Sequence, residues 1–249
     1  MPLAAAVSAP LPWRRVAVLG ARGAIGGALV AQLAAGGAER VYALARGTPW
    51  REDGPLCHGP VDVLDETALA AAAARLADEG TLDAVIVATG ALHAPGMMPE
   101  KSLRDLNLAA LQQAFTINCA GPALAFKHFL PLLPRQTPGV MASLSARVGS
   151  IGDNRKGGWY GYRAAKAALN MVVRCTAIEA ARRYPQAVIA GLHPGTVDSP
   201  LSQPFQGFVP AGQLFTPQQS AARLLAVLAR LRPEDSGKCF AHDGAEIPP

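Results

Sequence analysis

The fold is decided near the start of the chain by Arg15-Val-Ala-Val-Leu-Gly20-Ala-Arg-Gly23-Ala-Ile-Gly26-Gly27. Residues 15–20 form a short apolar run, which predicts a buried strand, and the alanine-rich residues 24–35 predict a helix. Glycines between them allow a sharp turn and a close approach of the backbone to a bound group. A helix N-terminus offers free N–H groups and a positive dipole end to a pyrophosphate. The stretch therefore predicts a phosphate-binding turn; the alternative is an ordinary strand–helix connection.

The alternation of short apolar runs and helical segments continues along the chain. Further strands are expected at residues 41–45, 56–61, 84–88, 140–144, 187–192 and 238–241. Further helices are expected at residues 66–77, 103–133, 160–183 and 218–231. This pattern predicts βαβ units, and therefore a single doubly wound α/β domain around a parallel sheet. The Pro- and Gly-rich residues 193–216 are the exception, and they predict either a functional lid or a surface connection.

Composition and charge exclude several classes of protein. Of the 249 residues, 50% are hydrophobic and 16% are charged, which is too apolar for a disordered chain. The net charge of +5 is not clustered, which argues against a nucleic-acid or membrane-surface partner. The uncharged residues 106–126 include asparagine, glutamine, glycine and proline, so we expect a buried or interface helix there rather than a membrane span.

Two further features bound the domain and its compartment. Residues 1–12 contain three prolines and no basic segment, so we expect a flexible tail before a domain that spans residues 13–249. The four cysteines form no CxxC pair and the five histidines show no ligand spacing, so no metal site is expected. This cysteine usage favours a reducing, cytoplasmic location.

Two arginines lie where they can select a cofactor. Arg22 is inside the glycine turn, and Arg46 follows the second strand, where NAD-binding sites commonly carry an acidic residue. A guanidinium suits a 2′-phosphate and offers nothing to a ribose diol. We therefore predict NADP(H) as the cofactor; the alternative for each arginine alone is a solvated surface charge. Asp62, after the third strand, is expected either to accept from the adenine amine or to cap the next helix.

Tyr162 and Lys166 lie four residues apart in a predicted helix, which places both side chains on one face. A nearby ammonium lowers a tyrosine pKa, so that the hydroxyl can exchange a proton with an alcohol or carbonyl oxygen. Tyr160 is the rival tyrosine, but it lies about 240° around the helix from Lys166. The spacing alone is common by chance, and its alternative is an exposed helix pair.

Taken together and in this order, these residues resemble the short-chain dehydrogenase/reductase family. The resemblance rests on the glycine turn, on Asp62, on Tyr162-x-x-x-Lys166 and on His193-Pro-Gly-Thr-Val-Asp-Ser199. Residues 144–154 and 157–162 more narrowly resemble its C-factor/sniffer-like carbonyl reductase branch. The resemblance implies one Rossmann domain with a seven-stranded parallel sheet and hydride transfer between NADP(H) and a carbonyl or alcohol substrate. It also implies a homodimer or homotetramer.

The resemblance assigns roles to single side chains. Tyr162 would be the acid/base, Lys166 would hold the ribose hydroxyls, and Asn118 would support a proton-relay water; the alternative for Asn118 is a buried polar residue that kinks its helix. The residues expected around the cofactor are Gly20, Arg22, Gly23, Ile25, Gly26, Arg46, Asp62, Val63, Ala88, Gly90, Tyr162, Lys166, Pro194, Gly195, Val197 and Ser199.

The serine is the main departure from the family pattern. An ungapped alignment of residues 139–149 puts Ala146 at the place of the catalytic serine and Ser145 one residue before it. Because neighbouring strand residues point to opposite faces, Ser145 can take that place only where the strand ends or bulges by Leu144. We expect that it does, with the Ser145 hydroxyl within hydrogen-bond reach of Tyr162. Ser143 is a further candidate.

The leading hypothesis is an NADP-dependent carbonyl reductase of a small molecule, with Asn118, Ser145, Tyr162 and Lys166 as its catalytic residues. The alternative is a cofactor-binding regulatory or cell-signalling protein with weak or no catalysis, because Ala146 cannot donate a hydrogen bond. We interpret His193 as a structural histidine with satisfied hydrogen bonds rather than a catalytic one. A moderately apolar substrate pocket is expected, lined by Met97, Arg147, Trp159 and residues 200–215.

Overall fold

A nine-stranded sheet forms the centre of the computed structural model, which describes residues 11–249. The strands are β1 (Arg15–Leu19), β2 (Arg40–Ala45), β3 (Arg51–Asp53), β4 (Leu56–Pro60), β5 (Ala84–Val87), β6 (Gly139–Leu144), β7 (Ala187–His193), β8 (Thr196–Val197), β9 (Leu214–Phe215), β10 (Cys239–Ala241) and β11 (Glu246–Ile247). The order across the main sheet is β11-β10-β7-β6-β5-β1-β2-β4-β3, and β8 pairs with β9 in a separate small sheet.

The predicted parallel sheet is confirmed, and short antiparallel strands extend it at both edges. The strands from β10 to β4 are parallel to their neighbours. The edge strands β3 and β11 are antiparallel to theirs. The sequence pattern does not predict β3 because Arg51-Glu-Asp53 is charged and fully exposed, so it has no apolar face to mark it.

Helices cover both faces of the sheet, as the doubly wound prediction requires. They are α1 (Ala24–Ala35), α2 (Glu66–Asp78), α3 (Leu108–Phe115), α4 (Gly121–Phe129), α5 (Tyr160–Ala180) and α6 (Pro217–Leu228). Side chains of β1 alternate between two apolar layers, with Val16 and Val18 towards α1 and α6, and Ala17 and Leu19 towards α2, α4 and α5. The carboxyl ends of the parallel strands meet at one edge, where ligands bind in open α/β sheets.

The single helix predicted over residues 103–133 is broken into five pieces. Short 3₁₀ turns at Leu103–Asp105 and Leu130–Leu132 flank α3 and α4, and a π-helical turn, Thr116–Ala120, joins these two helices. Two features explain the π turn: the Asn118 side chain donates to the Ala114 carbonyl oxygen at 3.1 Å, and Pro122 has no N–H for the helix ladder.

The predicted tail, residues 1–12, is described only at its end. Residues 1–10 of the predicted tail lie outside the described residues, whereas Leu11 packs against the apolar layer beside α1. Within residues 11–249, no helix combines the length and the apolar character that crossing a membrane needs.

Candidate active site

The glycine turn between β1 and α1 has no room for side chains. Gly20 has φ +89°, and a Cβ there would lie 2.8 Å from the Ala88 carbonyl oxygen. A Cβ at Gly26 would lie 2.2 Å from the Gly20 carbonyl oxygen. Gly23 is the N-cap of α1, and no side chain caps this helix, so its first N–H groups remain available to an anion. The backbone thus has the geometry that the phosphate-binding prediction requires.

The two predicted selectivity arginines lie side by side. Arg22 Nη1 donates to the carbonyl oxygen of Arg46 at 3.3 Å, and both side chains are exposed at the carboxyl ends of β1 and β2. This contact brings the Arg22 side chain to the backbone of Arg46, and binding of a 2′-phosphate by the two arginines stays a prediction.

Asp62 does not cap the following helix. Its Oδ1 accepts from the Leu64 N–H at 3.0 Å in a local turn, while Asp65 caps α2 by accepting from the Ala68 N–H at 3.0 Å. The helix-cap interpretation of Asp62 is therefore wrong, and its contact with an adenine amine stays a prediction.

Three other predicted cofactor residues are packed into the fold. Ile25 and Ala88 lie against the apolar layer under α1 and α6. Val63 is buried, and its Cγ2 lies 2.9 Å from the position that a Cβ at Gly121 would take. Their contacts with a cofactor remain predictions.

Gly90, Asn118 and Lys166 meet at the carboxyl end of β5. A Cβ at Gly90 would lie 3.1 Å from Asn118 Oδ1 and 3.4 Å from Lys166 Nζ, so the backbone of this glycine lies close to both polar groups. Lys166 is 2% exposed, and its ammonium donates to the Leu144 carbonyl oxygen at 2.7 Å. Burial lowers the pKa of Lys166 to about 8.

The Asn118 side chain connects the segment after β5 to the helix at its π turn. Its Oδ1 accepts from the Ala91 N–H at 3.1 Å, and its Nδ2 donates to the carbonyl oxygens of Ala91 at 2.8 Å and Ala114 at 3.1 Å. Both amide protons are therefore committed to the backbone. The buried, helix-distorting role that the sequence left open is present, and a role in a proton relay remains a prediction.

Tyr162 and Lys166 lie on the same face of α5, as their spacing predicts. Lys166 Nζ lies 5.8 Å from the centre of the Tyr162 ring. The expected lowering of the tyrosine pKa is not found, because burial raises the pKa of Tyr162 to about 12 in the cofactor-free protein. The phenol is therefore neutral at physiological pH in the cofactor-free protein.

The expected contact between Ser145 and Tyr162 is wrong. Strand β6 ends at Leu144, as predicted, but the Ser145 hydroxyl donates to Asn170 Oδ1 at 2.6 Å. Asn170 lies eight residues beyond Tyr162 on α5, which is about 12 Å along the helix axis. Cys239 Sγ donates to the same oxygen at 3.2 Å. The Ser145 hydroxyl is therefore bound by Asn170, about two helical turns from Tyr162.

The remaining serine candidate, Ser143, supplies no donor at Tyr162 either. Ser143 is fully buried, and its hydroxyl lies 3.5 Å from the Val87 carbonyl oxygen of the neighbouring strand. Within residues 11–249, the Tyr162 hydroxyl makes no hydrogen bond.

The predicted contact residues after β7 form hydrogen bonds or pack closely against other parts of the chain. The Pro194 carbonyl oxygen accepts a 2.9 Å hydrogen bond from a serine hydroxyl of α6. Gly195 has φ +76°, and a Cβ there would lie 2.7 Å from the Phe215 ring. Val197 is buried, and its carbonyl oxygen accepts from the Ser199 hydroxyl at 3.2 Å.

His193 is not the satisfied structural histidine that we expect from the sequence. Its Nδ1 is buried and has no hydrogen-bond partner among residues 11–249, and its ring lies 6.4 Å from that of His242. Burial lowers the pKa of His193 to about 4, so the imidazole is neutral at physiological pH.

The expected substrate lining is present only in part. Met97 is buried against α3, and Arg147 forms a 2.6 Å ion pair with Asp153. Trp159 does face the site, since its ring lies 6.4 Å from the Tyr162 ring and 5.0 Å from that of Phe205.

Sequence reasoning missed two polar groups at the site. Thr89 lies between Ala88 and Gly90, and its Oγ1 is buried without a partner. Its place just after β5 and directly before Gly90 was the available signal for this hydroxyl. Glu100 is a buried carboxylate, 6% exposed, and only its place in a Pro- and Gly-containing loop distinguishes it in the sequence.

Comparisons with known proteins agree with this geometry. A sequence model of the family described as enoyl-(acyl carrier protein) reductase matches residues 20–233. The 1-hydroxy-2-glutathionyl-2-methyl-3-butene dehydrogenase of Rhodococcus sp. (strain AD45) is 34% identical over 185 residues, 74% of this chain and 76% of that protein. The C-signal protein of Myxococcus xanthus is 35% identical over 147 residues, 59% of this chain and 83% of that protein.

Solved structures show the same architecture. The NADPH-bound carbonyl reductase from chicken fatty liver superposes with a TM-score of 0.81 and 25% identity, over 96% of this chain and 95% of that chain. The carbonyl reductase Sniffer of D. melanogaster has a TM-score of 0.80 over 94% of this chain and 99% of its own. At 18% identity, the second likeness shows the fold alone.

Proposed function

The chain belongs to the short-chain dehydrogenase/reductase family of oxidoreductases, and from this membership we propose that it is an NADP(H)-dependent reductase of small carbonyl compounds. The observation that carries the proposal is the meeting of Gly90, Asn118 and Lys166 beside Tyr162. A glycine there leaves space for a nicotinamide riboside between the ammonium and the cleft, and a proton donor lies on the same helix face.

The residues present fit NADP(H). The uncapped N-terminus of α1 suits the pyrophosphate, and the exposed pair Arg22 and Arg46 suits a 2′-phosphate. The buried Thr89 hydroxyl has no protein partner within residues 11–249, and it lies beside Gly20, where a Cβ would come within 3.0 Å of Thr89 Cγ2. A bound cofactor would give this hydroxyl a partner.

The side chains supply the proton half of the reaction. Tyr162 O–H donates its proton to the substrate carbonyl oxygen, and the neutral form required for this step prevails below its pKa of about 12. The Lys166 ammonium uses one proton on the Leu144 carbonyl oxygen, so two protons remain for ribose hydroxyls. When bound, NADPH supplies the hydride that the carbonyl carbon receives, so the product is an alcohol.

A panel of aldehydes and ketones tests the proposal. The purified protein should consume NADPH in the presence of one or more of these compounds, followed by the loss of reduced-cofactor absorbance, and the alcohol should be recovered. NADPH binding by calorimetry without turnover of any compound would instead support a cofactor-binding signalling protein. Absence of NADPH binding would contradict both.

The proposal places the protein in the cytoplasm, where its four free cysteines would stay reduced.

We further propose that the protein assembles as a homodimer or homotetramer through α3 and α5. Large apolar side chains are exposed on both helices: Leu108 is 70% exposed on α3, and Met171 and Ile178 are 63% and 54% exposed on α5. Such a surface favours burial against another chain. Light scattering should give a mass of two or four chains, and Met171→Glu with Ile178→Glu should give a monomer.

A further inference from the structure

A left-handed turn precedes the helix that carries Tyr162. Gly157, Gly158 and Trp159 have φ values of 63°, 64° and 52°. Trp159 is the one non-glycine residue in the described part of the chain with a positive φ. A tryptophan adopts this conformation only where surrounding contacts compensate for the steric strain.

Glu100 supplies two of these contacts from a distant segment. Its carbonyl oxygen accepts from the Trp159 N–H at 2.5 Å, and its carboxylate accepts from the Gly161 N–H at 3.1 Å. Trp159 is the N-cap residue of α5, and its side chain makes no capping hydrogen bond. The buried carboxylate therefore caps this helix in place of a local residue, at the end where the helix dipole favours a negative charge.

Arg163 secures the other side of the turn. Its Nε donates to the carbonyl oxygens of Gly157 at 3.2 Å and Gly158 at 2.9 Å, and its Nη1 donates to that of Val148 at 3.3 Å. The turn is thus held from both sides, and the Trp159 backbone has a defined conformation.

The turn places the Trp159 ring between Tyr162 and the segment of residues 193–216. The Trp159 ring meets the Tyr162 ring edge-on at 6.4 Å and the Phe205 ring at 5.0 Å. Phe205 belongs to the segment of residues 193–216, which also contacts His93 through the Pro200 carbonyl oxygen at 3.1 Å. The position of the Trp159 ring therefore sets one wall of the space in front of Tyr162.

We propose that Glu100 is a positioning residue of the reductase site, which holds Trp159 left-handed so that its ring aligns Tyr162 and forms an aromatic wall for a flat, apolar carbonyl substrate. The proposal rests on the proposed function. It assigns to Glu100 an effect on the substrate side of the cleft and none on the glycine turn after β1, because among residues 11–249 the hydrogen bonds of Glu100 go to α5 and to the turn before it.

Variants of Glu100 test this role against a matched control. Glu100→Ala should lower kcat/KM for an aryl aldehyde by at least about tenfold, since a misplaced reacting group has effects of this size. The Kd for NADPH should change by less than about twofold. Glu100→Gln retains an acceptor for the Gly161 N–H and should recover most of the activity. Asp105→Ala removes an exposed cap in the same segment, where Asp105 accepts from Lys101 and Ser102 N–H groups, and should behave like the wild type.

A spectroscopic readout separates this proposal from the proposed function. The emission of Trp159, taken as the difference from a Trp159→Phe variant, should shift in Glu100→Ala and stay unchanged in Asp105→Ala. An unchanged emission, an NADPH Kd that rises with the loss of kcat/KM, or equal activities of the two alanine variants would overturn the positioning role. If the wild type reduces no carbonyl compound, the proposed function fails while the emission comparison still decides the role of Glu100.

A stability comparison with Trp159→Gly gives a further test that does not depend on turnover. Trp159→Gly removes the strain of the left-handed residue together with the aromatic wall. Adding Glu100→Ala to Trp159→Gly should then destabilise the protein less than Glu100→Ala destabilises the wild type. An equal or larger loss of thermal stability would show that Glu100 does not act through Trp159, and would overturn the proposal.

Discussion

The cofactor end and the catalytic end of the cleft are formed by different kinds of groups. The cofactor end consists of a glycine turn and an uncapped helix N-terminus, both backbone features, and of two exposed arginine side chains. The catalytic end consists of buried side chains that bind one another or the backbone of distant segments, as Lys166 does with Leu144 and Ser145 with Asn170. Binding at the first end should therefore tolerate changes at the second, while single changes at the catalytic end should redirect several hydrogen bonds.

The largest effect is expected for Tyr162, where a substitution should lower kcat without changing the affinity for NADPH. Tyr162→Phe keeps the ring and its packing but removes the proton donor, so kcat should fall by at least about a hundredfold. The Kd for NADPH should be unchanged, because the variant keeps the glycine turn, the two arginines and Lys166. Steady-state kinetics and calorimetric titration measure the two quantities. Tyr160→Phe is the control, and a larger loss in that variant would show that the assumed helix face is wrong.

The second prediction concerns the cofactor end alone. Arg22→Ala and Arg46→Ala should each reduce the preference for NADPH over NADH by at least about tenfold, since a charge-assisted hydrogen bond contributes about 1.5–3 kcal/mol. The ratio of the two dissociation constants measures this preference. Arg135→Ala, an exposed arginine before the amino end of β6, should leave the ratio as it is. Equal affinities of the wild type for both cofactors would contradict the assignment.

A third prediction concerns the pH dependence of NADPH affinity, which should follow the titration of Lys166. The pKa of Lys166 is lowered to about 8, so its ammonium is the main form below pH 8 and is lost as the pH rises through that value. NADPH affinity should therefore fall about tenfold from pH 7 to pH 9, if the charged form binds the ribose. Tyr162→Phe should show the same pH dependence. A flat profile in both proteins would exclude Lys166 as the titrating group.

The smallest effect is expected at Ser145. Because its hydroxyl is committed to Asn170, Ser145→Ala should change kcat less than about threefold and should lower the free energy of unfolding by about 1 kcal/mol, the usual net value of one hydrogen bond. Denaturant unfolding and steady-state kinetics measure the two effects. A loss of two orders of magnitude in kcat would restore the serine to the catalytic residues.

The same division explains what the sequence could predict. The glycine turn, the strand ends and the shared face of Tyr162 and Lys166 follow from local backbone geometry, which residue type and spacing determine. The partner of the Ser145 hydroxyl depends on the packing of α5 against β6 and β10, which no local pattern records. The raised pKa of Tyr162 likewise reflects burial by surrounding segments, so the tyrosine–lysine spacing alone predicts the opposite direction.

The π turn at Thr116–Ala120 has a consequence for how the chain tolerates insertions and deletions. A π turn holds one residue more than the α-helical turn it replaces, and one residue corresponds to about 100° of rotation. Deleting a residue there would convert α3 and α4 into one regular helix and rotate everything beyond it. Phe126 and Phe129, now buried in the core, would then turn out of it, so the length of this segment is as constrained as its composition.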